Sequence, residues 1–208
     1  MIVMPANNSG SVVREWAIKF PGQIGHLYSP RGQRGPWIEF PYALDNGRYC
    51  LMNGKQWDES EFIRLLDWAV TKDFRPRWVV VPDVPCDRDG TLRDFDKWAP
   101  RIEGYGFQPA MACQDGMRPD DVPHGVVAFI GGSPEWKPKA IELFCGARRV
   151  HVGRVNRVRW LWLCRNAGVE SCDGTGWLRH PRRSRQLEGY LMRVKHGLPD
   201  AQYQLPGM

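Results

Sequence analysis

Apolar positions along this chain fall into two alternating patterns. Short contiguous runs, such as Trp78-Val-Val-Val81 and Pro109-Ala-Met-Ala-Cys113, lack the polar alternation of a strand with one wet face. Unbroken β-branched and aliphatic runs of this length are expected of strands buried on both faces. Between them lie stretches with apolar residues three and four apart, such as Phe62, Leu65, Leu66 and Ala69, the spacing of one helix face. The pattern predicts strands at 25–29, 42–45, 78–81, 109–113, 125–130, 149–153 and 169–172. Helices are expected over 58–72, 89–99, 134–144 and 155–167, the third with Ser133 as N-cap and Pro134 at its first position.

Strand and helix in regular alternation is the signature of a parallel sheet. An abbreviated (β/α)8 TIM-type barrel in a single domain spanning 1–208 fits best, with 1–24 as an irregular N-terminal segment and 174–208 as a basic C-terminal segment. An open doubly wound sheet is the alternative. At 208 residues the chain is short for the barrel, so several helices should be abbreviated or missing. Trp136, Trp160 and Trp162 are expected to pack helices on strands.

Composition is ordinary for a folded protein, with 42% hydrophobic and 25% charged residues, which argues against wholesale disorder. The opening residues lack the basic start and apolar run of a secretory signal, and no apolar stretch approaches a membrane span, so a cytoplasmic protein without a membrane partner is expected. The 6 cysteines are dispersed without paired spacing, and His124, His151, His180 and His196 show no ligand spacing. No metal and no cofactor is expected, and these histidines are taken as structural.

The formal charge of +6 is unevenly distributed, with arginines crowding the last quarter, among them Arg154, Arg157, Arg159, Arg179, Arg182, Arg183, Arg185 and Arg193. Clustered arginine is the footprint of a phosphate-rich partner, although charge runs also serve as plain solvated faces.

Three aspartates close apolar runs. Asp45 ends Phe40-Pro-Tyr-Ala-Leu-Asp45, Asp83 follows Val81-Pro82, and Asp173 ends Val169-Glu-Ser-Cys-Asp173. Asp-Asn and Asp-Gly are also common turn dipeptides. In parallel barrels, however, side chains at the carboxyl ends of strands converge on one site, so the repeated placement points to a shared set of carboxylates.

The ordered set Leu44-Asp-Asn-Gly-Arg-Tyr49, Val81-Pro-Asp83, Ala112-Cys-Gln-Asp-Gly116, Phe129-Ile-Gly-Gly132, His151-Val-Gly-Arg154 and Gly168-Val-Glu-Ser-Cys-Asp173 resembles the tRNA-guanine transglycosylase family over roughly residues 40 to 180. The zinc-binding cysteines of that family are absent here, as in its compact phage-type branch acting on DNA. The resemblance implies exchange of guanine in DNA for a 7-deazaguanine such as 7-cyano-7-deazaguanine, with tRNA the less favoured polymer and restriction evasion the purpose, in a host cytoplasm. It implies Asp173 as nucleophile, Asp45 as general acid/base, and Asp83, Gln114, Gly131 and Gly132 as base-binding residues. Arg154, Trp177, Arg179, Arg182, Arg183 and Arg185 would hold the nucleic acid, Trp177 by stacking. Asp115 and Glu170 are neighbours able to exchange roles with Gln114 and Asp173. Base excision, a barrel enzyme for a phosphorylated small molecule, and a non-catalytic nucleic-acid-binding barrel are the rival readings.

Overall fold

The computed structural model describes residues 1–6, 11–30 and 40–200. Eight strands form one all-parallel sheet: β1 Ile2–Pro5, β2 His26–Tyr28, β3 Tyr42–Leu44, β4 Val79–Val80, β5 Pro109–Cys113, β6 Val127–Ile130, β7 Val150–Val152 and β8 Ser171–Gly174. Their order is β1-β8-β7-β6-β5-β4-β3-β2. Parallel bridges from Val3 to Ile24 and from Ala6 to Leu27 bring β1 against β2 and close the ring. The (β/α)8 barrel expected from the alternation is the fold, and the open sheet is excluded by that closure.

Helices α1 Ser11–Lys19, α2 Glu59–Val70, α3 Arg88–Gly104, α4 Lys137–Cys145, α5 Val158–Asn166 and α6 Pro181–Lys195 surround it. Between β5 and β6 a 3₁₀ turn, Pro119–Asp121, stands where a helix would complete the repeat. Among the described residues no helix is long and apolar enough to cross a membrane.

Strand parity separates two cores. Met4, Leu27, Ala43, Trp78, Val80, Ala110, Ala112 and Val127 fill the barrel interior. The alternate residues, including Val3, Leu44, Val79, Met111, Ala128, Ile130, Val152 and Cys172, face the helix layer. Both faces are dry, which is why the strands lack alternation in sequence. Several interior residues are alanines, and the space they leave is taken by one large ring. Trp78 meets His151 at 4.6 Å and Phe129 at 6.0 Å between ring centroids, and Phe129 stacks on His151 at 4.8 Å.

Two segments differ from expectation. Within 1–24 the described residues are not irregular: Ile2–Pro5 form β1 and Ser11–Lys19 form α1. The strand has only four residues, too few for a periodic signal, whereas Val13, Trp16, Ala17 and Phe20 are buried at helical spacing behind an exposed face that mixes Arg14, Glu15 and Lys19 with Val12 and Ile18. The basic C-terminal segment contains α6, whose arginines mask an apolar face of Leu187, Tyr190 and Leu191. Pro181 occupies its first turn, and the His180 side chain accepts from the Arg182 backbone N–H. Residues 201–208 of that segment lie outside the described residues.

Smaller shifts have local causes. Helix α4 starts at Lys137 because Ser133 and Pro134 form a preceding turn, in which Ser133 Oγ accepts from the Trp136 N–H at 3.2 Å. Helix α3 extends to Gly104, carrying Pro100 in its interior.

Candidate active site

The chain alternation that fills the barrel also aims its mouth. Ala43, Ala112, Phe129, His151 and Ser171 point inward, and two residues further along each strand lie Asp45, Gln114, Gly131, Gly153 and Asp173. The last layer before solvent is therefore polar or open, while the layer beneath it sets the Phe129 and His151 rings among small residues. Asp83 stands just past β4 and joins the same rim.

Asp83 is held from two sides. Asn46 Nδ2 donates to its Oδ1 at 2.9 Å, and Gln114 Nε2 donates to its Oδ2 at 2.8 Å. Each amide is itself fixed. Asn46 also donates to the Val81 carbonyl and accepts from the Arg48 N–H, while Gln114 Oε1 accepts from the Cys86 N–H at 3.0 Å. Burial pushes the Asp83 carboxyl up, and the Asn46 hydrogen bond and the Arg48 charge act against that shift. Cys86 makes this contact with a positive φ of 66°, a conformation uncommon for a residue with a side chain.

Asp173 is buried, with His151 Nε2 3.1 Å from its Oδ1. His151 Nδ1 lies 2.8 Å from Ser171 Oγ. This Ser-His-Asp line runs down the barrel axis, and Ser171 is fully buried beneath the ring, so its hydroxyl orients the imidazole and is not placed to act as a nucleophile. His151, taken as structural from its sequence context, is a positioning residue. The available signal was parity, which aligns position 151 with 171 and 173 on neighbouring strands.

Asp45 follows β3, and its carboxyl rises from an ordinary 3.8 to about 7. Burial is the main cause, followed by the negative charges of Asp173 and Asp83, against which the Gly47 and Asn46 backbone N–H groups work. The three aspartates are thus one electrostatic cluster, with Asp45 exchanging its proton near neutrality.

The cationic side of the mouth lies at β6 and β7. The Arg154 guanidinium donates to the carbonyls of Gly131 and Gly132, and its carbon lies 5.2 Å over the Tyr49 ring. Buried Lys137 donates from Nζ to the Gly153 carbonyl at 2.5 Å. Burial, then the Arg154 charge, push the lysine down to about 8, with Asp173 opposing.

Other sequence-derived candidates occupy different surroundings. The N–H groups of Gly131 and Gly132 both donate to the Cys113 carbonyl, so neither is free to meet a ring. A Cβ on Gly132 would sit 2.3 Å from the Trp136 ring and 2.5 Å from Asp115 Oδ1, a close approach that explains the glycine. Trp177 is fully buried and offers no face for stacking; it is a core residue behind β8. Arg179 is exposed in the loop after β8, and Arg182, Arg183 and Arg185 are exposed on the first turns of α6. Asp115 accepts from the Ser133 N–H at 2.7 Å and fixes the β6–α4 turn. Glu170 sits at the opposite end of the barrel, bound by Arg149 and Arg77, and is pushed down to about 2 chiefly by the Arg149 hydrogen bonds. It cannot exchange roles with Asp173. Among the described residues no group of histidines, cysteines and carboxylates is arranged to hold a metal.

No family model matches the chain, and no curated protein matches it. A solved structure described as "Native KDPGal structure" superposes over 94% of this chain and 94% of its own, with a TM-score of 0.55 and 10% sequence identity. That similarity defines the chain as a parallel β/α barrel. It also overturns the transglycosylase resemblance and the guanine exchange on DNA or tRNA drawn from it, because the superposing barrel is of another description. The physical reason is that short motifs of aspartate, glutamine and paired glycine at strand ends are what barrel architecture in general places at its mouth.

Proposed function

We propose that the chain is a barrel enzyme that cleaves an acetal-type bond, such as the glycosidic bond of a small polar substrate, by general acid/base catalysis. The observation that carries this reading is the pairing of Asp45, whose carboxyl burial and neighbouring carboxylates push up to about 7, with Asp173, whose Oδ1 is held by His151. A carboxyl raised toward neutrality can protonate a leaving group while a second carboxyl group faces the positive charge that develops behind it. Protonated Asp45 delivers its proton to the departing oxygen or nitrogen, the bond electrons leave with that atom, and Asp173 faces the sugar-like cation. Water then adds to the cationic carbon and returns a proton to Asp45. Asp83, presented between two amides, accepts hydrogen bonds from substrate hydroxyl or amino groups.

The test is hydrolysis of a panel of glycosyl fluorides and of nitrophenyl and alkyl glycosides by wild-type, Asp45→Asn and Asp173→Asn proteins. Fluorides leave without a proton, so Asp45→Asn should retain fluoride hydrolysis and lose alkyl-glycoside hydrolysis by about 10²-fold or more. Asp173→Asn should lose both. No fluoride hydrolysed by the wild type, or equal activity in all three proteins, would overturn the reading.

A second reading is favoured by one observation, the buried Lys137 amine pushed down to about 8. A lysine so tuned is suited to attack a carbonyl carbon, losing water to form an imine. Borohydride reduction in the presence of small keto acids and aldehydes would fix such an adduct on Lys137 as a mass increase. Its absence excludes this chemistry and leaves the carboxylate reading standing.

A further inference from the structure

Outside the mouth, a groove of about 550 Å³ runs between α5 and α6, lined by Arg157, Arg159, Arg183 and Arg193 over a floor of Trp162 and Tyr190. We infer that this groove binds a ligand carrying several phosphate groups in a row.

Charge is the first argument. Among the described residues, Arg157, Arg159 and Arg183 form no ion pair with a carboxylate, and Arg193 is turned to the Pro199 carbonyl. Asp200 also lines the groove, leaving arginine in clear excess. Arginine's planar fork suits phosphate oxygens better than lysine does.

Helix polarity is the second argument. Arg157 is the N-cap of α5 and Arg159 lies in its first turn, while α6 opens with Arg182, Arg183 and Arg185; neither helix has an acid in its first turn. The helix dipole favours anions at this end, so each of these cations is unfavourably placed in the free protein. Two adjacent helices repeat the same unfavourable choice, and an anion lying between them converts both penalties into attraction.

Shape is the third. Arg183, Gln186, Tyr190 and Arg193 follow one face of α6, and ten residues of helix extend roughly 15 Å, longer than one phosphate requires. Trp162 and Tyr190 are buried, so the floor offers no ring for stacking and the groove recognises charge and not bases. Its upper end is Asn156, whose Oδ1 accepts from the Gly176 N–H in the loop after Asp173, which sets the groove beside the mouth.

Calorimetric titration with sodium triphosphate and with a twelve-nucleotide single-stranded oligothymidylate tests this at low and at physiological salt. The starting protein is Asp45→Asn, so that binding is read without turnover and independently of the reaction proposed above. Binding that weakens with salt and falls at least tenfold in Arg157→Glu/Arg183→Glu, but less than twofold in the charge-matched Arg64→Glu/Arg101→Glu, is expected. Triphosphate binding alone assigns a small polyphosphorylated ligand, and tighter oligonucleotide binding assigns a nucleic-acid strand. Binding of neither probe, or equal loss in both double variants while circular dichroism shows them folded, would overturn the inference.

Discussion

Asp45 is the residue on which the proposed chemistry turns, and its effect on stability has a definite sign. Its carboxyl is raised from 3.8 to about 7, so the native state holds the proton more tightly than the unfolded chain. Stability is therefore greatest below pH 4 with respect to this group and falls as pH rises from about 4 to 7. Asp45→Asn removes the penalty. Urea denaturation should find the variant more stable than wild type by on the order of 2 kcal/mol at pH 8, with the difference vanishing near pH 4. His151 works in the opposite direction. Replacing it with Phe keeps the aromatic packing but leaves the buried Asp173 carboxyl without its hydrogen-bond partner, so His151→Phe should lose on the order of 1–3 kcal/mol at pH 7. Much of the residue scale was legible: strand-end position marked Asp45, Asp83 and Asp173 from sequence. Asn46 was not, because a rim amide gains its role only from a partner 37 positions away, and His151, whose partner lies 22 positions away, was signalled only by strand parity.

At the scale of elements, the β6–α4 connection shows how tightly the rim is built. Gly132 lies against Trp136 and Asp115, whereas Gly146 at the end of α4 has open space around its Cα and an ordinary helical φ of −78°. Gly132→Ala should cost at least about 2 kcal/mol, since backbone or ring must move, while Gly146→Ala should be neutral or stabilising by up to about 0.5 kcal/mol. Thermal unfolding of the two variants side by side checks both. The helices with a continuous apolar stripe, α2 and α5, were visible in sequence to within a few residues. Strand β1 and helix α6 were not, the first because four residues carry no period and the second because arginines dominate its composition.

For the molecule as a whole, the two ends of the barrel divide stability from chemistry. At the amino-terminal end, Glu170 ties Arg149, just ahead of β7, to Arg77, just ahead of β4, across the bottom of the barrel. Its carboxyl is held down to about 2, so this clamp contributes above pH 4.5 and is lost as pH falls toward 2. Glu170→Gln should be destabilised by about 1–2 kcal/mol at pH 7 and match wild type near pH 2, with the mouth unaffected. The fold class could be read from the chain because a closed parallel barrel imposes the same strand-helix alternation throughout. The reaction could not, because strand-end carboxylates are common to the architecture and only their mutual electrostatics separates them. Those electrostatics are open to direct observation by carbon-13 NMR titration of the aspartate carboxyls, with Asp45 assigned by its absence in Asp45→Asn. A midpoint near 7 that falls in Asp173→Asn is the predicted result; a midpoint near 4, unmoved by that substitution, would contradict the account.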